Sequence, residues 1–144
     1  MFARSILASS ALLISFTASA APQWAMLEGD IGDHTFLDNT SIAKAGTFVQ
    51  VDVLRNYNET ITLGNDPVTG GEMYPHRSVK LKYQVDCGTG TNAMTGSKLF
   101  EGNFGNGEVV WADRMWGKQS FSAAGDDETR AVVRSTCGTK TALR

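Results

Sequence analysis

Chemistry in this 144-residue chain would have to start from few groups: two cysteines, Cys87 and Cys137, and two histidines, His34 and His76. The cysteines lack the CxxC spacing of a redox centre and do not belong to the four-ligand set of a structural zinc site. His34 and His76 stand outside any HExxH spacing, and Asp33-His34 alone cannot complete a metal site. Asp30, Asp33 and Asp38 come from one turn region and could gather a weak calcium ion, but without the EF-hand pattern they read as exposed turn carboxylates. Serines are frequent, yet no GxSxG elbow makes one a nucleophile. Asp52 and Asp86 flank apolar residues and could act as a carboxylate pair in acid–base work, although the polar faces of their segments direct them to solvent. The glycines between Gly88 and Gly107 fit turns better than phosphate cradles. No catalytic residue, metal or cofactor is assigned from these patterns.

Binding is better represented. Trp111 and Trp116, with Arg114 and Lys118, form a compact cluster of residue types enriched at interface hot spots, suited to a protein or glycan surface. Tyr57 and Tyr74 flank a glycine-rich stretch and have similar standing. Val109-Val110-Trp111 reads as a strand, which favours Trp111 as a core anchor, whereas Trp116 fits either role.

Charge and compartment narrow the partners. Thirteen Lys and Arg against fifteen Asp and Glu give a formal charge of −2, and Lys80, Lys82, Arg114, Lys118, Arg130 and Arg134 are scattered singly. Nucleic acid is therefore not an expected partner. Residues 1–20 read as a signal peptide: Arg4, an apolar run from Ile6 to Phe16, then Ala18-Ser19-Ala20, with cleavage expected before Ala21. That run, interrupted by serines, is too short to span a bilayer, which takes ~20 apolar residues. No cysteine stands at the cleavage point to accept a lipid and no second apolar segment follows, so 21–144 is expected to be one exported, non-lipidated domain without direct membrane insertion. In an oxidising compartment Cys87 and Cys137 are expected to bond to each other. The closed loop of about 50 residues is worth about 4 kcal/mol.

These residues need elements to position them. Val79, Leu81, Tyr83, Val85 and Cys87 alternate with Lys80, Lys82, Gln84 and Asp86, the period of a strand with one buried face. Val49, Val51 and Val53 repeat the pattern in Thr47–Tyr57, while Phe48 and Leu54 on the other side imply partial cover by a helix or long loop. Trp24–Leu27 and His34–Leu37 read as a hairpin, followed by a polar turn at Asp38–Ser41 and at most a short helix before Gly46. Thr62–Arg77 and Gly88–Lys98 read as long loops, with short strands at Leu99–Phe104 and Glu108–Ala112. Ala131, Val133, Ser135 and Cys137 share one side of a final strand at Arg130–Cys137, which places both cysteines on compatible faces. A helix fits best within Asp113–Thr129, and Asp126-Asp127-Glu128 reads as a solvated turn. The expected fold is α+β: one mainly antiparallel sheet, a short helix packed on it, and one disulfide.

A family pattern runs through the same residues. Trp24, Phe36-Leu37-Asp38 with Ser41-Ile42 and Gly46, the Val49-Val51-Val53 strand, Tyr74 with Ser78 ahead of Tyr83, Asp86-Cys87 and finally Cys137 together resemble the surface-adhesin protein E family of exported bacterial proteins. The resemblance covers roughly Trp24 to Gly138. It implies an antiparallel sheet with a helix on it, closed by a disulfide, located in the periplasm or at the cell surface. It also implies a non-enzymatic binding role directed at a protein or extracellular-matrix ligand. Where the family's namesake carries a lipidated cysteine this chain has Ala20-Ala21, which leaves open a periplasmic structural or accessory role in an envelope complex.

Overall fold

The computed structural model describes residues 21–27, 34–63, 74–114 and 120–138. Among the described residues there are eight strands: β1 (Trp24–Met26), β2 (Thr35–Asp38), β3 (Ala43–Ala45), β4 (Phe48–Leu63), β5 (Tyr74–Asp86), β6 (Thr91–Phe100), β7 (Val109–Arg114) and β8 (Ser122–Ala123). A single 3-10 turn (Asn103–Gly105) precedes β7, and the helix α1 (Asp127–Cys137) comes last. The sheet order is β1-β2-β4-β5-β6-β7, with β3 on β4 and β8 on β6, and every pairing is antiparallel. The α+β expectation holds.

Alternation builds the core. Register sets Leu37 opposite Val53, Val53 opposite Leu81, Val51 opposite Tyr83 and Val79 opposite Leu99, so one face carries a continuous apolar field. Ala131, Val132 and Val133 of α1 complete this cluster. Cys87, just after β5, and Cys137, in the last turn of α1, form a disulfide with Cα atoms 5.4 Å apart. It fastens the helix to the sheet.

The final segment departs from its sequence reading: Arg130–Cys137 is helical, and the helix is not confined to residues before Thr129. Val132-Val133 is a β-branched pair that suggests a strand, but the start signal outweighs it. The Asp126 carboxylate accepts from the Thr129 amide at 2.7 Å while the Thr129 hydroxyl accepts from the Asp126 amide at 3.4 Å, a reciprocal cap. Buried Glu128, Ala131, Val132 and Thr136 then recur at helical spacing. Asp126-Asp127-Glu128 is thus the N-cap and first turn of a helix, and Glu128 is buried rather than solvated.

Three connections also differ. Gly88–Lys98 is a tight turn followed by most of β6, because Gly90 adopts φ +70° and lets Thr91 pair at once with Asp86. Ala43–Ala45 is a strand paired with Phe48–Gln50 around Gly46 (φ +64°), where a short helix was expected. The ladder between β4 and β5 runs out to Leu63 and Tyr74, so strand replaces both ends of the Thr62–Arg77 loop; its middle lies outside the described residues.

Among the described residues, the second face is covered at one end. The 3-10 turn sits over Leu54, held by Asn56 and Ser78. Asn56 Oδ1 accepts from the Phe104 amide at 2.7 Å, and Ser78 Oγ donates to the Gly102 carbonyl at 2.6 Å while accepting from the Gly105 amide at 2.9 Å. Phe104 takes φ 55° there, with its ring 5.4 Å from Phe36. This loop provides the cover that Leu54 required.

At the sheet margin Asp38 is the knot of the turn expected after β2. Its carboxylate accepts from the Gln23 amide and from both the amide and hydroxyl of Thr40, at 2.7–3.0 Å. Burial works against its ionisation, but these hydrogen bonds and the charge of Lys80 outweigh it, so its pKa lies below the usual carboxylate value. A group depressed in the folded state contributes stability that is complete above its unfolded pKa, about 3.9, and is lost as pH falls through the folded value. Urea unfolding followed from pH 7 to 2 is expected to show this loss in the wild type and a flatter acid limb in Asp38→Asn. Parallel profiles would contradict it.

Candidate functional site

On the helix side of the sheet, β4 and β5 direct Arg55 and Tyr83 toward α1, whose capped start turns Glu128 back to meet them. Arg55 Nε and Nη2 donate to the two Glu128 oxygens at 2.6 and 2.8 Å, and the Tyr83 hydroxyl donates to Oε1 at 3.1 Å. The hydrogen bond to Glu128 strengthens the hold of the Arg55 guanidinium on its proton against burial. Burial, then the neighbouring Glu128 charge, raises the Tyr83 pKa and keeps the phenol protonated. Each carboxylate oxygen accepts from at least one protein donor, so this group anchors the helix to the sheet.

Beside the triad opens a cleft of about 440 Å³ lined by Leu81, Asn92, Met94, Ser97, Trp111 and Thr129 among others. None of the described residues lining it is a histidine, cysteine or carboxylate. Its described lining is a mixture of amide, hydroxyl, phenol, guanidinium, indole and aliphatic groups.

The aromatic candidates are partly brought together. Trp111 is half-buried at the margin of the core, with its ring 6.4 Å from Tyr74. His76, buried and hydrogen-bonded through Nδ1 to the Tyr74 carbonyl at 2.9 Å, lies edge-on to Tyr57 at 5.8 Å. Trp111, Tyr74, His76 and Tyr57 therefore line one end of the sheet as packed side chains. The backbone of Arg114 pairs with Gly96 at the end of β7; its side chain, Trp116 and Lys118 lie outside the described residues.

The carboxylate candidates are separated. Asp52 lies opposite Lys82 and pairs with Lys80 at 3.0 Å and Lys82 at 3.8 Å. Asp86 lies opposite Phe48 and accepts from the Gly88 amide at 2.9 Å, which lowers its pKa. They form no acid–base pair. Among the described residues no three His, Cys, Asp or Glu side chains gather as a metal site would require, and Asp30 and Asp33 lie outside them. The triad itself escaped sequence reading because Glu128 counts as a helix residue only after Asp126 and Thr129 are recognised as a reciprocal cap.

A sheet with one helix on its face and a disulfide at its end is the arrangement expected above, and a family model for surface-adhesin protein E matches residues 24–138. The chain belongs to the surface-adhesin protein E family. Solved structures of Haemophilus influenzae protein E share the fold. One superposes with a TM-score of 0.57 at 14% identity, covering 84% of this chain and 95% of that one. Another gives 0.56 at 14% identity over 88% and 96%, and a different crystal form 0.53 at 14% over 82% and 96%. No curated protein sequence matches the chain. Among the described residues, this member of the surface-adhesin protein E family has no helix long and apolar enough to cross a membrane.

Proposed function

We propose that this protein is an exported, non-enzymatic binding protein of adhesin type that engages a host protein or matrix ligand. The observation that carries the reading is the family match across nearly all of the domain. The site agrees with it: Glu128 is consumed by structural hydrogen bonds, and the described lining of the adjacent cleft offers no nucleophile–base pair. Trp116 and Arg114, which follow Trp111 in the sequence, are the proposed contact residues.

A second reading rests on Ala20-Ala21, which stands where a lipid-accepting cysteine would be needed for anchoring. On that reading the same domain serves an envelope complex from within the periplasm. Fractionation combined with protease treatment of intact cells separates the two. Surface cleavage, together with adherence of the purified domain to immobilised matrix proteins, supports the adhesin. Protection in intact cells and release only on opening the outer membrane would remove it. For the contact surface, Arg114→Ala with Trp116→Ala is expected to reduce adherence while leaving the thermal transition in place; unchanged adherence in the folded double variant would reject these two residues.

A further inference from the structure

The face of the sheet opposite α1 collects charges that lie far apart along the chain. Lys80 and Lys98 are directly opposite each other on β5 and β6, and Lys82 lies two residues along on the same side. Opposed side chains stand about 5 Å apart at Cβ, and residues i and i+2 of a strand about 7 Å apart. Two like charges in direct opposition destabilise a strand pair. Among the described residues Asp52 is the one carboxylate in ion-pair contact with this group, reaching Lys80 and Lys82 but not Lys98. Lys82 and Lys98 are exposed, and Lys80 is half-buried. Trp24, from β1, brings its half-buried ring to 5.6 Å from Lys80 Nζ. The Lys80 ammonium thus lies over the indole ring, a cation–π contact at the border of the cationic group.

We infer that this face binds a linear sulfated polysaccharide, with Lys80, Lys82 and Lys98 pairing with sulfate groups and Trp24 packing against the apolar face of a neighbouring sugar ring. Charge complementarity selects an anion, and the shortness of the cationic row favours this one. Lysine ammonium groups act as freely oriented point charges, so each can meet a separate sulfate without a planar bidentate geometry. Three lysines on a chain of net charge −2 fall short of the six to ten or so phosphate contacts typical of nucleic-acid binding. They also fall short of the roughly four to eight basic residues that hold a protein on an anionic bilayer. A flexible polyanion with sulfates repeated along its length needs only a short cationic row and gains from presenting many equivalent sites. The inference rests on the adhesive reading for where such a polymer would be met; the chemistry of the face stands on the geometry above. In the unliganded face Asp52 occupies Lys80, so it competes with the sulfate.

Immobilised heparin and an immobilised single-stranded DNA control, run with the same salt gradient, test this. Wild type is expected to be retained on heparin at low salt and to elute earlier from DNA. Lys82→Ala and Lys98→Ala, both at exposed positions, are each expected to weaken heparin affinity about fivefold, at about 1 kcal/mol per lysine. Asp52→Asn, which removes the competing carboxylate, is expected to shift elution to higher salt. Absence of heparin retention in the folded wild type overturns the inference, as does equal retention of the Lys82→Ala/Lys98→Ala double variant or retention on DNA matching that on heparin. Matrix-protein adherence is measured separately. Adherence without heparin retention defeats this inference alone, and heparin retention without adherence or surface display defeats the adhesin reading alone.

Discussion

Replacing Cys87 and Cys137 together by alanine is expected to lower the free energy of unfolding by about 4 kcal/mol. The bond closes a segment of 50 residues that contains β6, β7, β8 and all of α1, so its loss frees a large part of the unfolded chain. It also ties down the helix at the end farthest from its cap. An isolated helix of 11 residues is only marginally stable in water. What keeps α1 folded is burial of Ala131, Val132 and Val133 on the sheet, the Glu128 triad near its start, and the disulfide at its end. Urea denaturation followed by circular dichroism should show a midpoint moved to lower urea for the double variant, and the same move for wild type under reductant. Coincident curves for oxidised and reduced wild type would show that packing alone holds the helix.

Glu128→Ala is expected to cost about 2–3 kcal/mol, the second-largest effect. The change strips Arg55 of both its carboxylate bonds and leaves the buried Tyr83 hydroxyl without an acceptor. A lone charge left behind after a buried pair is broken typically costs about 3–5 kcal/mol. The Arg55 side chain retains 42% of its exposure, so water recovers part of that loss and places the value at the lower end. Glu128→Gln keeps an acceptor for Tyr83 and is expected to lose less. Tyr83→Phe removes one hydrogen bond and should cost about 1 kcal/mol. Chemical denaturation of the three variants gives the ranking Ala, Gln, Phe in decreasing loss, and a negligible effect of Glu128→Ala would mean that the triad does not fix the helix.

Much of the sheet is readable from alternation alone. Val79 to Val85 and Val49 to Val53 specify both a strand and its buried side, because a slip of one residue would send every valine to the wrong face. The turn at Asp38 is legible for a similar local reason, since aspartate, threonine and serine satisfy backbone donors within a few residues. The disulfide follows from having two cysteines and an expected oxidising compartment. Cys137 nevertheless lies on a helix and not on the strand that its neighbours' alternation suggests. A cysteine at the end of a helix faces the sheet as readily as one on a strand, so the pairing survived the change of element.

Other features depend on contacts between distant segments. The conflict in Asp126–Cys137 between β-branched valines and a reciprocal cap is settled by packing, which rewards a helix that lays Ala131, Val132 and Glu128 on an already formed sheet. Gly88–Lys98 has little apolar alternation of its own and becomes a strand because β5 offers it a ladder of unpaired backbone groups. The Arg55–Tyr83–Glu128 triad joins residues separated by 73 and 45 positions. The lysine face forms in the same way, from residues that look isolated in one dimension until register sets Lys98 opposite Lys80. Sequence by itself thus determined the family pattern, the buried sides of the central strands and the cysteine pair, because each is written in local period or residue type. Tertiary structure alone decided the helical C-terminal segment, the buried triad and the grouping of charges, because backbone pairing and burial against distant residues outweigh local propensity.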